Sequence, residues 1–277
     1  MSGSAEALAR RRVPLPPVLV YHKIETGLEL GVNVVSPAAF GRQMRWLADR
    51  GFGGISLDEA LRTYDGEGHA GGAAGESRAV VLTFDDGYDG VARYAAPVLA
   101  RLGFRATVFV PSAYVGARSD WDTRLLARRY RHLDRAGLRT LAAAGWEIGS
   151  HSATHTDLRR ASDARLVEEV AGSRAALEEI VGAPVRAFAY PFGRVDYRVR
   201  RAVIGAGYRV ACGGAAGPER GDPFAIRRLG VRAVDGVGAL QAKVLGGRGA
   251  RFEHFKEAVA HAAAGGTPWA RSWLPFT

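Results

Sequence analysis

The sequence predicts an α/β protein whose mainly parallel sheet closes toward a barrel. Short β-branched, apolar segments alternate along the chain with segments of helical period, which is the pattern of repeated β–α units. Reactive side chains stand where several of these strands end: His22 after 18–21, Asp85-Asp86-Gly87 after 80–84, and His151 after 147–150. In α/β folds the loops after strand C-termini open onto the ligand crevice, and barrel closure would collect them at one rim. Composition fits a soluble globular chain: 277 residues, 47% hydrophobic and 24% charged, one large domain or a domain with appendages.

Taken in order, residues 1–17 hold no apolar segment long enough for a signal peptide and read as an N-terminal extension. That absence sets the expected compartment as the cytoplasm, with a surface or periplasmic role left open should the true start differ. Residues 18–21 form a first strand. Ser36-Pro37 opens a helix, with Ser as N-cap and Pro at the first helical position, and places Phe40, Met44 and Leu47 on one face. The helix ends at Arg50-Gly51, and 52–57 reads as the next strand. Residues 65–77, DGEGHAGGAAGES, are a Gly-rich connector that cannot pack, with His69 solvated in it.

After the strand at 80–84 come a helix near 91–102, a strand at 107–110 and a mostly helical arm at 122–144 with a break near Gly137. A long helix at 161–181 turns Leu166, Val170, Leu177 and Ile180 inward and Glu168, Glu169, Glu178 and Glu179 outward to solvent. A strand at 185–190, a helix at 197–204, a strand at 208–211 and a last helix at 236–261 complete the alternation. The tail holds Trp269, Trp273 and Phe276, for which packing on the barrel is favoured over membrane insertion; no run in the chain spans a bilayer.

The net charge of +10 invites a nucleic-acid reading, yet Lys occurs only at 23, 243 and 256 and the arginines are dispersed. A dedicated nucleic-acid function is excluded on that distribution. Cys212 is the only cysteine, so no intrachain disulfide forms, and no base for a nucleophilic thiol is evident; it reads as a small strand-end residue.

Asp85-Asp86 points to a bound cation or a proton shared between unlike roles, although Asp-Gly also forms ordinary turns. His151 and His155, four apart, can face one way on a helical turn and bind a single ion. Two His and one carboxylate leave room for water and substrate, as a catalytic metal requires. Phe188-Ala189-Tyr190-Pro191-Phe192-Gly193 reads either as a rigid aromatic turn or as a third piece of a site. His22 ends the short strand Val18-Leu19-Val20-Tyr21.

With these four pieces, the chain resembles the polysaccharide deacetylases of the NodB-homology type, the family 4 carbohydrate esterases, over about residues 18–231. Thr83-Phe84-Asp85-Asp86-Gly87 followed by His151-Ser152-Ala153-Thr154-His155 carries the resemblance. The VLVYH strand and FAYPFG segment are similar to those of poly-N-acetylglucosamine deacetylases. The resemblance implies a distorted (β/α) barrel of about seven strands, irregular in its closure, occupying residues 18–235, with 236–277 a C-terminal helix and aromatic tail. It implies Asp86, His151 and His155 as ligands of one divalent metal ion, zinc first, though nickel, cobalt or iron suit the same donors. It also implies Asp85 as general base, His22 as the acid from a permuted position, and Tyr190, Pro191 and Phe192 at the substrate and oxyanion.

The chain departs from that pattern in three places. Ala189 stands where many members carry an Arg that orients the base. Arg228-Leu229-Gly230 stands where a Leu-x-His would be sought. Asp196-Tyr197 is the nearest candidate for an Asp-Trp pair lining the acetyl pocket. The expected activity is metal-dependent removal of N-acetyl groups from an amino-sugar glycan or glycoconjugate, releasing acetate. The alternatives are a metal-dependent amidase acting on a non-sugar C–N bond and a non-catalytic glycan-binding member. The expected partner is the acetylated sugar; oligomeric state is left open.

Overall fold

A computed structural model describes residues 15–26, 33–64, 78–119, 130–213 and 222–246. The expected connector at 65–77, the first part of the arm, the helix beyond 246 and the aromatic tail lie outside these residues. The strands are β1 (Val18–Tyr21), β2 (Lys23–Ile24), β3 (Val34–Val35), β4 (Phe52–Ile55), β5 (Arg78–Phe84), β6 (Thr107–Val110), β7 (Glu147–Ser150), β8 (Ala187–Ala189), β9 (Val210–Cys212) and β10 (Leu229–Gly230). The helices are α1 (Pro37–Asp49), α2 (Leu57–Tyr64), α3 (Ala96–Arg101), α4 (Arg135–Ala143), α5 (Asp163–Val167), α6 (Ser173–Val181), α7 (Tyr197–Gly205) and α8 (Val237–Leu245).

One parallel sheet runs β10-β1-β5-β6-β7-β8-β9, and β2 pairs with β3 beside it. β4 pairs with the first half of β5, from Arg78 to Val81, on the edge that β6 takes up at Thr83 and Phe84. The sheet's two ends meet through a short segment. Ile226 bridges Cys212 of β9, and three residues later Leu229 pairs with Leu19 of β1. The curled seven-strand path is therefore the expected irregular barrel, its two edges linked only through the Ile226 bridge and the two-residue β10.

Strands buried on both faces read as nearly continuous apolar runs, and β5 and β6 do so. The period of two splits them. Val81 and Phe109 join Val18, Ala187, Ala189, Val210, Cys212 and Ile226 in one cluster, while Val80, Leu82, Phe84, Val108 and Val110 join the larger cluster under the helices. Leu57 and Ala60 of α2 belong to the smaller cluster and close that end of the barrel.

α2 corrects the expected strand at 52–57, which stops at Ile55. Ser56 and Glu59 form a capping box: the Ser56 hydroxyl accepts the Glu59 N–H at 3.2 Å and the Glu59 carboxylate accepts the Ser56 N–H at 2.9 Å. A helix therefore starts where the apolar run appeared to continue. α1 begins as expected, with the Ser36 hydroxyl accepting from Ala39 N and Pro37 in the first turn. In the arm, Gly137 is not a break: Asp134 caps α4 by accepting from Gly137 N. The helix at 163–181 is continuous but contains a π-helical turn at Glu168–Gly172. Its Glu face is also not uniform. Glu168, Glu178 and Glu179 are outward, whereas Glu169 is fully buried, because it sits on the flank of the stripe that the 151–155 loop covers. Among the described residues no helix is long and apolar enough to cross a membrane.

Candidate active site

The site is built on the loops after β1, β5, β7 and β8, at the strand C-termini, with one residue from just before β10. Asp85 leaves the end of β5 still hydrogen-bonded to β1, its N–H donating to Tyr21 O at 2.9 Å. Asp86 then takes a positive φ of 67°, and Gly87 follows at 59°. Gly87 is required: a Cβ there would lie 3.1 Å from Val110 Cγ2 in a backbone conformation that side chains avoid. The abrupt turn leaves both carboxylates buried, 4% and 6% exposed.

β7 delivers the second piece. His151 donates its backbone N–H to Val110 O, and its ring Nδ1 lies 2.7 Å from Ala189 O. A carbonyl oxygen only accepts, so Nδ1 carries the proton and Nε2 presents its lone pair to the carboxylates. The expected helical turn at 151–155 is absent. Ser152 and His155 have φ of 64° and 54°, and the Ser152 hydroxyl accepts His155 N at 3.0 Å, so the segment is a tight loop. It nevertheless brings the rings together, with centroids 4.9 Å apart. His155 Nε2 lies 3.4 Å and His151 Nε2 3.7 Å from Asp86 Oδ1, and one donor atom from each of the three falls within 4.8 Å of the others.

Two imidazole lone pairs and a carboxylate converging in a buried space repel unless a cation or protons sit among them. Burial pushes the His151 pKa down, outweighing the pull of Asp85, so protons are disfavoured there. The donor set and its spacing fit one divalent ion with open positions.

Asp85 is held differently. Arg228, just before β10, meets it in a fork, Nη1 to Oδ1 and Nη2 to Oδ2, both at 2.6 Å. The guanidinium lies 5.3 Å over the Phe109 ring, inside the barrel. Burial alone would raise the Asp85 pKa, but Arg228, then His151, hold it far below the ordinary carboxylate range. The orienting arginine that Ala189 seemed to remove is thus supplied from another strand. Sequence reading missed it, although Arg228 stands in the segment where the C-terminal motif was sought.

His22 follows Tyr21, which pairs with Phe84, so it emerges beside Asp85 at the same rim. Burial pushes its pKa down to about 4; Asp85 opposes the shift, while Arg228 and His151 reinforce it. It is a neutral imidazole at neutral pH.

In the third piece, Phe192 takes φ 59° and its ring centroid lies 4.7 Å from that of His155. Pro191 is buried beside it. Tyr190 turns away, its hydroxyl donating to Phe224 O at 3.2 Å and its ring edge-on to Phe188. Asp86, Ser152, His155 and Phe192 are the positive-φ non-glycine residues among those described, so the strained backbone is gathered in these loops. Asp157 ties two of them together: it accepts from Arg159 and from Arg194 at 2.9 Å, and these bonds hold its pKa at about 2 against the effect of burial.

His132 is a second residue the sequence gave no signal for. It donates Nδ1–H to Asp86 O at 2.7 Å and stacks on Tyr88 at 4.8 Å, backing the strained turn. Asp196-Tyr197 is not an acetyl-pocket pair: Asp196 caps α7 by accepting from Val199 N, and Tyr197 is 73% exposed. Cys212 is buried at the end of β9, where burial pushes its thiol up to about 12, so it is inert at neutral pH.

Comparison with known proteins places this geometry. The polysaccharide deacetylase family signature matches residues 72–211, half of the chain. The chain belongs to the polysaccharide deacetylase family. It is a hydrolase of that type. YxkH of Bacillus subtilis (strain 168), named as a polysaccharide deacetylase, is 27% identical over 220 residues, covering 78% of this chain and 71% of that protein. A polysaccharide deacetylase from Bacillus cereus superposes with a TM-score of 0.66 at 26% identity, over 82% of this chain and 68% of that one. The Streptococcus pyogenes deacetylase PplD reaches 0.70 at 20% identity, over 84% of this chain and 99% of that one, a likeness of fold. The family domain thus carries the Asp-Asp and His-His segments on its β5 and β7 ends.

Proposed function

We propose that this deacetylase-family hydrolase removes N-acetyl groups from an amino-sugar glycan or glycoconjugate, with Asp86, His151 and His155 holding one divalent metal ion, zinc first. The observation that carries the reading is the buried convergence of those three donors beside an Asp85 that Arg228 holds ionised. The metal would supply a water of lowered pKa and a polarised acetyl carbonyl.

The remaining chemistry belongs to the chain. Asp85 is a carboxylate fixed in orientation by both oxygens, suited to take one proton from the attacking water. His22 stands beside it and serves the departing nitrogen, which leaves only once protonated. Because His22 rests neutral, it acts after receiving a proton. Hydrolysis supplies one: the proton removed from water is the proton the amine needs. Of the Tyr190–Phe192 turn, Phe192 lines the acetyl side, walling the His155 face and excluding water from it, while Tyr190 points away. The acetylated sugar is the partner, and the products are acetate and a free amino sugar.

The test is acetate release from N- and O-acetylated glycans and from small amides, in metal-stripped protein reloaded with zinc, cobalt, nickel or iron. Metal-dependent release from N-acetylated glycans is expected. Undiminished turnover in protein shown by elemental analysis to be metal-free, or turnover confined to non-sugar amides, would overturn the reading.

A further inference from the structure

Between His151 and His155, the backbone is gripped by an acidic side chain from the long helix that follows. Glu169 lies in the π-helical turn Glu168–Gly172, and its side chain is 0% exposed. Its Oε2 accepts the N–H groups of Ala153 at 2.9 Å and Thr154 at 2.8 Å, and its Oε1 accepts the Thr154 hydroxyl. Arg165, one turn earlier, pairs with Oε1 at 2.7 Å and leans out to solvent. A π turn adds a residue to the helical repeat and often marks a functional position. Here it accompanies the placement of a carboxylate on the flank that faces the loop.

The grip matters because of what it spans. Ser152 and His155, on either side of the gripped residues, both hold positive φ. Such conformations are costly for residues with a side chain and persist only when their surroundings over-determine them. Asp157 fixes the loop's exit through Arg194, and the His151 N–H fixes its entrance on β6. Glu169 holds the middle. An apolar or solvated residue at 169 would take the shared acceptor from these two half-buried N–H groups, and the loop would relax and spread the imidazoles.

We propose that Glu169 is a positioning residue, holding His151 and His155 at the spacing that lets them share one ion with Asp86. The inference rests on the metal reading above, yet the clamp itself exists without metal. The test therefore has two readouts. In metal-free protein, hydrogen exchange at the Ala153 and Thr154 amides should accelerate in Glu169→Ala and, less, in Glu169→Gln, which keeps one acceptor oxygen. In a cobalt(II) titration, Kd should rise about 10–100-fold in Glu169→Ala, with an altered ligand-field spectrum, as expected when support behind metal ligands is lost. Leu177→Ala, buried in the same helix and away from the loop, supplies a variant of lowered Tm that should bind cobalt as the parent chain does. If Glu169→Ala does not fold, Glu169→Gln decides. Unchanged exchange at Ala153 and Thr154 in the folded variant, or affinity lost equally in Leu177→Ala at matched Tm, overturns the proposal. Failure of the parent chain to bind cobalt sinks the metal reading instead, while the exchange data still report on the clamp.

Discussion

Removing Arg228 while keeping its bulk, as Arg228→Met, strands Asp85 in the barrel. The carboxylate is 5% exposed and loses both of its 2.6 Å charge-assisted bonds. Breaking a buried pair by deleting one partner costs about 3–5 kcal/mol. Protonation limits that cost. Bringing a proton to a carboxylate of ordinary pKa near 4 at pH 7 takes three pH units at 1.36 kcal/mol each, or about 4 kcal/mol.

We therefore expect a loss of about 3–4 kcal/mol at pH 7 in metal-free protein. The sign of its pH dependence follows from proton counts. In the parent, Asp85 is ionised in both folded and unfolded states from pH 5 to 8, so it adds no slope. In Arg228→Met, the folded state binds a proton the unfolded state lacks, so the deficit grows with pH and shrinks by about 1.4 kcal/mol per unit on acidification. Urea denaturation from pH 5 to 8 measures this directly. Arg228→Met/Asp85→Asn should recover more than half of the loss, since neither charge remains. Arg228→Lys should recover stability but not kcat, because a point charge cannot hold both oxygens. A single variant within 1 kcal/mol of the parent at every pH, or no recovery in the double variant, would refute the reasoning.

Other expectations follow from the same geometry. His151→Ala or His155→Ala should abolish stoichiometric metal uptake and turnover together, checked by elemental analysis beside acetate release. Asp85→Asn should keep metal while lowering kcat by roughly 10²–10⁴-fold, whereas Asp86→Asn should weaken the metal itself; equal metal content and equal rates in the two would undo that division. His22→Ala should retain metal and lose turnover on amides far more than on activated esters, whose leaving groups need no proton. Glu147, raised from 4.5 to about 7 by burial, binds a proton in the folded state that the unfolded state has already released. Its contribution is thus lost as pH rises from 4.5 to 7, so Glu147→Gln should gain up to about 3 kcal/mol over the parent above pH 7 and nothing below pH 5, measured by denaturation.

The strands, most helices and the residues of the converging Asp86, His151 and His155 cluster were legible because their signals are local. Ser36-Pro37 carries its own cap, Thr107–Val110 its own β-branched run, and Asp85-Asp86-Gly87 its own turn. Even so, local pattern misled where backbone chemistry competed with periodicity. The Ser56–Glu59 capping box ended a strand that apolar residues appeared to extend, and positive φ at Ser152 and His155 replaced a helical turn with a loop.

What only the tertiary structure decided lies across the barrel. Arg228 reaches Asp85 over 143 positions because Ile226 and Leu229 close the sheet between β9 and β1, and no spacing rule encodes that closure. His132 and Glu169 likewise act through backbone groups of Asp86, Ala153 and Thr154, contacts that any sequence with a donor or acceptor in place can make. The sequence alone determined which titratable and metal-binding residue types stand at the strand ends, since that is written in residue type and local spacing. The fold decided which groups hold them, since support comes from whatever packing brings within hydrogen-bonding reach of a buried, strained backbone.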